Sequence, residues 1–315
     1  MTDAVEIHLA GEAERLEAYQ QVHEAWGKGK RRSVFVADRL QSIQHNRASW
    51  WVLTQKKKVC ASLGCYPLTF SARGRQVPGF GFGAVYTAPR HRQRGYAEQL
   101  CRHVAATQQA SGCEVGLLFS DITPDYYAKM GWQALDRTLY YAELVDLWEP
   151  TRGLGVRMDE PAARIAELDT LWEAEQAQRA LWLKRPEDYW RYLLARSPDD
   201  HHVMLCDRSG AERGYLRVSI HGELAQVEEV LMRRGPADPW IEEAWVVVAH
   251  YAASQGAERV QTWQTPPPRT RQNWRVKPRE QAIPMLLLSG EAASAPEEGA
   301  PSLIESAFIH STDHF

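Results

Sequence analysis

The run Arg92-Gln93-Arg94-Gly95-Tyr96-Ala97 stands where a glycine-loosened strand, GFGFGAVYT from Gly79 to Thr87, gives way to a helix. Backbone N–H groups at a helix N-terminus lack intrahelical acceptors and carry a partial positive charge. A diphosphate placed there is therefore hydrogen-bonded and charge-compensated together. Gly95 and the small Ala97 let phosphate oxygens approach the backbone closely. The spacing is neither the three-glycine dinucleotide fingerprint nor a P-loop, which needs a Gly-Lys-Ser/Thr ending. Ala97, Leu100, Cys101, Val104 and Ala105 share one helical face, so the helix packs on a core whatever its loop binds.

The loop resembles motif A of the GCN5-related N-acetyltransferases (GNAT), whose pattern is Arg/Gln-x-x-Gly-x-Gly/Ala. A second likeness follows at the family's distance, the aromatic-Tyr-x-x-x-Gly-aromatic run Tyr126-Tyr127-Ala128-Lys129-Met130-Gly131-Trp132. The resemblance implies that the loop holds the pyrophosphate of acetyl-CoA, the acyl donor. Val85, Tyr86, Thr87, Arg92, Gln93, Arg94, Gly95, Tyr96, Ala97 and Ser120 are then the cofactor-binding positions. Tyr127 would be the general acid for the departing thiolate, and a backbone N–H on the strand 83–87 would polarise the thioester carbonyl. A phenol ionises near pH 10 and a thiol near 8.5, so that proton transfer is uphill by roughly 1.5 units, or about 2 kcal/mol. A place in the first turns of a helix would favour phenolate and narrow the gap.

Elements that could position these groups follow in order. Residues 11–28 and 36–45 read as helices, and 50–54 with 59–70 as a hairpin around Lys56-Lys57-Lys58. Next come the strand into the loop, a helix over 95–110, a strand over 115–120, a short helix from Pro124 to near Gly131, and strand-like segments over 132–148. The second half repeats this coarsely: helices at 159–184 and 187–196, strands at 202–206, 214–221 and 224–232, a helix at 238–254 and a strand at 259–265. Its counterpart of the loop, Met232-Arg233-Arg234-Gly235-Pro236-Ala237, lacks the spacing, and Pro236 removes an N–H. The expected fold is α/β with a mixed sheet: a GNAT catalytic domain over 1–150 and a degenerate GNAT-like domain over 153–290 that binds no CoA. Residues 291–315 are expected to form a linker and a tail returning toward the active site.

Such a layout is similar to the Eis-type enzymes and the fungal lysine N6-acetyltransferases. In the Eis type the C-terminal carboxylate serves as base, and Phe315 matches that position. The chain departs from them in lacking a sterol-carrier-like domain and in two further residues between Ser120 and Tyr127. The implied activity is direct acetyl transfer, in a ternary complex, to a primary amine of a small molecule: an amino acid such as lysine, a polyamine, or an aminoglycoside-like compound. A CoA-binding sensor or assembly module without turnover is the alternative. The acceptor cleft is expected between the two domains, with His23 and Trp26 contributing; Glu228 and Glu229 could attract a cationic substrate there, but read first as a solvated strand face.

Composition bounds the remaining choices. A chain of 315 residues accommodates two domains, and its net charge of −3 argues against a general nucleic-acid binder. No apolar run reaches membrane-spanning length and the N-terminal stretch is acidic, which points to a cytoplasmic protein, with a homo-oligomer allowed. The five cysteines contain no Cys-x-x-Cys pair, and His201 with His202, or His310 with His314, make no metal site by spacing.

Overall fold

The computed structural model describes residues 4–146, 153–158, 160–295 and 301–314. In chain order the strands are β1 (Val5–Leu9), β2 (Ser49–Gln55), β3 (Lys58–Ala72), β4 (Arg75–Thr87), β5 (Val115–Ser120), β6 (Gln133–Ala134) and β7 (Thr138–Glu143). There follow β8 (Gly155–Met158), β9 (Leu181–Leu183), β10 (His201–Cys206), β11 (Glu212–His221), β12 (Leu224–Met232), β13 (Arg259–Thr262), β14 (Arg275–Pro278) and β15 (Ile283–Leu288). The helices used below are α1 (Glu12–Trp26), α2 (Arg32–Gln41), α3 (Ile43–Arg47), α4 (Tyr96–Ala110), α5 (Asp125–Ala128), α6 (Ile165–Gln176), α7 (Glu187–Arg196) and α8 (Ile241–Ser254). Two units result, one from Met1–Leu135 with Ile283–Ser306, the other from Asp136–Ala282 with Ala307–His314.

In the first unit the strand order is β1-β2-β3-β4-β5-β15-β6. β1 to β4 form an antiparallel meander, and α4 carries the chain across so that β5 runs parallel to β4. Alternation along β2 shows two covered faces. Trp51 packs with Leu100 and Val104 of α4, while its neighbour Trp50 packs with Tyr19 and Val22 of α1 and Phe35 of α2.

The second unit has the order β14-β7-β13-β12-β11-β10-β8. Its β12–α8–β13 crossover makes a parallel pair, as β4–α4–β5 does in the first unit. Residues 159–184, expected as one helix, divide into α6 and β9.

The observed units divide at 135/136, 282/283 and 306/307. β7 follows β6 closely in sequence, yet it pairs with β13 and β14 in the second sheet. In return β15 enters the first sheet, antiparallel to β5 from Ile283 opposite Ser120 to Leu288 opposite Val115. Successive strands usually neighbour each other, and the two halves break that rule by exchanging a strand.

Residues 307–314 belong to the core of the second unit. Ile309, His310, Thr312 and Asp313 are buried. Arg185, with no exposed side chain, donates to both Asp313 carboxylate oxygens (3.0 Å each), to Glu229 Oε1 (2.5 Å) and to Thr312 Oγ1 (2.8 Å). Its guanidinium lies 3.5 Å from the Trp172 ring centroid. Burial opposes its charge, and Asp313 with Glu229 more than offset this, so its pKa moves up. Ser311 donates to Glu228. Glu228 and Glu229 are therefore not the solvated face expected of them; they are acceptors for this strap, and His310 packs at 4.6 Å on Trp172. Removing one member of a buried ion pair leaves an uncompensated charge, so Asp313→Ala is predicted to destabilise the second unit by about 3–5 kcal/mol. Denaturant unfolding followed by tryptophan fluorescence checks this, and a loss below about 1 kcal/mol contradicts it.

Candidate functional site

The site-forming feature of the first unit is a bulge in β4. Gly83 pairs with Gly64 and Tyr86 with Ser62, so Ala84 and Val85 together oppose the single residue Leu63. Ala84 takes φ +49°, a conformation that L residues with a Cβ rarely adopt. One extra residue exchanges the faces of everything beyond it. Phe80 and Phe82 point into the cluster under α4; after the bulge Val85 takes that side and Tyr86 turns to the α1–α2 cluster. β4 and β5 pair only from Gly79–Val115 to Phe82–Leu118, so the bulged stretch 83–87 has left its parallel neighbour. A strand leaving its partner turns main-chain groups toward the gap.

From that gap the chain enters the basic loop. A turn of 3-10 helix at Pro89–His91 leads through Gln93, with φ +62°, to Gly95, with φ +74°, and α4 starts at Tyr96. No side chain caps α4, so its first N–H groups keep their hydrogen-bonding capacity. A Cβ added at Gly95 would meet only Gln99 Nε2, at 3.8 Å, so the space over this helix end is open. Arg92, Gln93 and Arg94 are exposed around it. The expected cofactor positions Val85, Tyr86, Thr87 and Arg92 to Ala97 thus form one continuous strand end, loop and helix start. Ser120 ends β5 with its hydroxyl committed, donating to Ile122 O at 2.8 Å.

Tyr127 lies on α5 and is buried among Cys101, Met130, Trp132 and Leu118. Trp132 wedges against Phe82 (5.4 Å) and Phe80 (6.1 Å), and Arg102 of α4 donates to Lys129 O at 2.7 Å, which ties α5 to α4. The expectation that a helix dipole would ease ionisation of Tyr127 fails. α5 has only four residues, and burial, with Cys101, Tyr126 and Asp121 adding to it, pushes the phenol pKa well up. Phe315 lies outside the described residues.

Sequence reasoning missed Glu24 of α1. Tyr86, 5% exposed, donates its hydroxyl to Glu24 Oε2 at 2.8 Å. Burial and that carboxylate push the Tyr86 phenol up to about 12. Arg92 Nη2 stands 3.8 Å from Glu24 Oε1 and Arg92 Nε donates to Thr87 O at 3.1 Å. No local pattern marks Glu24, because its partners come from a strand and a loop far along the chain. Trp26 packs edge-on at 6.2 Å from Tyr86, whereas His23 is occupied by Lys30 O at 2.7 Å.

The counterpart loop of the second unit is closed. Gly235 takes φ +59°, and a Cβ there would fall 2.2 Å from Ala174 O of α6. Asp238, buried before α8, accepts from Arg234 N (3.2 Å) and Trp240 N (2.9 Å). A carboxylate of the chain itself thus takes two main-chain donors of the turn before α8.

Residues 6–135 match the model of a family described as acetyltransferase (GNAT) domain. No curated protein matches the sequence. Among solved structures the fold is similar to a probable N-acyltransferase from Enterococcus faecalis V583, with TM-score 0.72 and 14% identity over 90% of this chain and 72% of that one. It is similar also to a GCN5-related N-acetyltransferase from Anabaena variabilis, with TM-score 0.69 and 15% identity over 90% and 72%. Eis1 from Mycobacterium abscessus gives 0.61 and 17% over 90% and 73%. At such identities the likeness is one of fold.

Asparagine and aspartate tolerate positive φ better than other residues. Gly95→Asp is therefore predicted to weaken CoA binding at least tenfold by charge, and Gly95→Asn by clearly less. Calorimetric titration with CoA checks the pair, and equal losses would remove the electrostatic explanation.

Proposed function

We propose that the chain, whose residues 6–135 match the model of an acetyltransferase (GNAT) domain, transfers acetyl from acetyl-CoA to a primary amine of a small molecule: lysine or another amino acid, a polyamine, or an aminoglycoside-like compound. The observation that carries the proposal is the uncapped start of α4 behind an arginine-bearing loop, at the point where β4 parts from β5. A diphosphate on that helix end leaves the pantetheine arm to run along the free side of 83–87, as an added strand would.

Three tasks then fall to this chain. Main-chain N–H at the bulge, near Val85, is directed at the carbonyl oxygen where negative charge develops. The amine, once neutral, attacks the carbonyl carbon, and the C–S bond breaks as the tetrahedral intermediate collapses. Tyr127 gives its proton to the CoA sulfur, and the proton shed by the attacking nitrogen, carried by water, restores the phenol. Burial that raises the phenol pKa also disfavours a free thiolate in the same surroundings, so the two shifts offset each other rather than add to the barrier.

Direct transfer within a ternary complex fits the cysteines. Cys101, beside Tyr127 in the core, has its thiol pushed up to about 12 by burial, which leaves almost no thiolate at neutral pH to carry an acyl group.

Tyr127→Phe removes the proton donor and keeps the ring. The turnover number is predicted to fall by about 10²–10⁴, with CoA affinity unchanged within about twofold. Thiol release with a panel of primary amines, beside a CoA titration, measures both; full turnover would dismiss Tyr127. The working form of Tyr127 is the neutral phenol and its pKa lies above the usual value. The wild-type rate should therefore show no alkaline decline assignable to this group up to about pH 10.

A further inference from the structure

Glu24 is held from one side and covered from the other. Its Oε2 accepts from Tyr86, a buried phenol fixed in β4 just past the bulge, and its Oε1 faces Arg92. The hold and the cover differ in kind. Tyr86 is immobilised by the α1–α2 cluster and by Trp26. The Glu24 and Arg92 side chains, 56% and 53% exposed, meet at 3.8 Å in solvent, where ion pairs are weak and easily exchanged. Arg92 also belongs to the loop leading to α4, and a phosphate gives a guanidinium stronger, two-pronged hydrogen bonds than a carboxylate at that distance.

We propose that Glu24 is the group that receives the ammonium of the acceptor, and that Arg92 covers it until the donor's diphosphate draws the guanidinium away. This rests on the acetyl-CoA reading above. Tyr86 lies between Val85 and Thr87, within the stretch expected to flank the thioester, so a cation bound at Glu24 would sit beside β4 at the reacting end of the donor. The phenol keeps one carboxylate oxygen in place, and departure of Arg92 leaves the other for a charge-assisted hydrogen bond from nitrogen. An acceptor without a cationic amine gains nothing from an uncovered Glu24. Because binding free energies couple reciprocally, the donor strengthens the acceptor site and a cation at Glu24 strengthens the donor site by the same factor.

The pair is open to substitution without disturbing the core. Titration with CoA of wild-type protein, Glu24→Gln, Arg92→Gln and the double variant tests the cover. Glu24→Gln should bind CoA two- to fivefold more tightly, because Arg92 is released in advance, and the gain should vanish in the Arg92→Gln background. Unchanged or weaker CoA binding by Glu24→Gln overturns the cover. Initial rates with spermidine, L-lysine and kanamycin at saturating acetyl-CoA test the receiving role. Glu24→Gln should raise KM at least tenfold with kcat within threefold, and Glu24→Asp should recover part of the loss; an unchanged KM overturns the role. Wild-type protein that binds CoA but acetylates none of these three cations overturns the acceptor assignment alone. Wild-type protein that binds no CoA overturns the donor reading itself.

Discussion

A single surplus residue in β4 sets the geometry on which the site depends. The bulge keeps Ala84 at positive φ, a conformation costing an alanine of order 1–2 kcal/mol, and pairing on both sides of it, Gly83 with Gly64 and Tyr86 with Ser62, holds it there. Two effects follow from the same displacement. The strand leaves β5, which opens main-chain groups beside the helix start, and side chains beyond the bulge change faces, which delivers Tyr86 to Glu24. A regular strand would have placed Tyr86 under α4 and left Glu24 without its donor.

The two units treat similar topology in opposite ways. In the first, the turn before α4 is exposed and basic; in the second, Gly235 in the turn before α8 is pressed against α6 and Asp238 accepts from Arg234 N and Trp240 N. The second unit turns polar residues inward. Arg185, Glu229, Asp313 and Thr312 form a network around the strap, with two tryptophans, Trp172 and Trp190, against the guanidinium. Isolated buried charges are costly, and these hold because each faces an opposite charge or a hydrogen-bond partner.

Local signals were legible in the sequence and distant pairings were not. Strands 115–120 and 224–232 stand where their apolar runs place them, and the loop at 92–97 opens its helix as its glycine and arginines suggest. β15 escaped notice because Ile-Pro-Met-Leu-Leu-Leu has meaning only against β5, far upstream. Glu228 and Glu229 look like a solvated pair until Ser311 and Thr312 are brought to them. The ionisation of Tyr127 was misjudged for a related reason: the helix pattern around it was readable, but its four-residue length and its burial are consequences of packing on Trp132 and Cys101. Residues 36–45 are parted at Ser42, whose extended backbone ends α2 and whose hydroxyl caps α3.

The exchanged strands also set an order of events during synthesis. At about 5–20 residues per second, β5 leaves the ribosome roughly ten to thirty seconds before the Ile283–Leu288 segment that must lie beside it. Throughout that interval the nascent first sheet presents an apolar, unpaired edge, the kind that invites association between neighbouring polypeptides. β7, already emerged, meanwhile waits for β13. The first half therefore cannot complete its sheet until the second half has been made, so its folding is tied to the length of the whole chain.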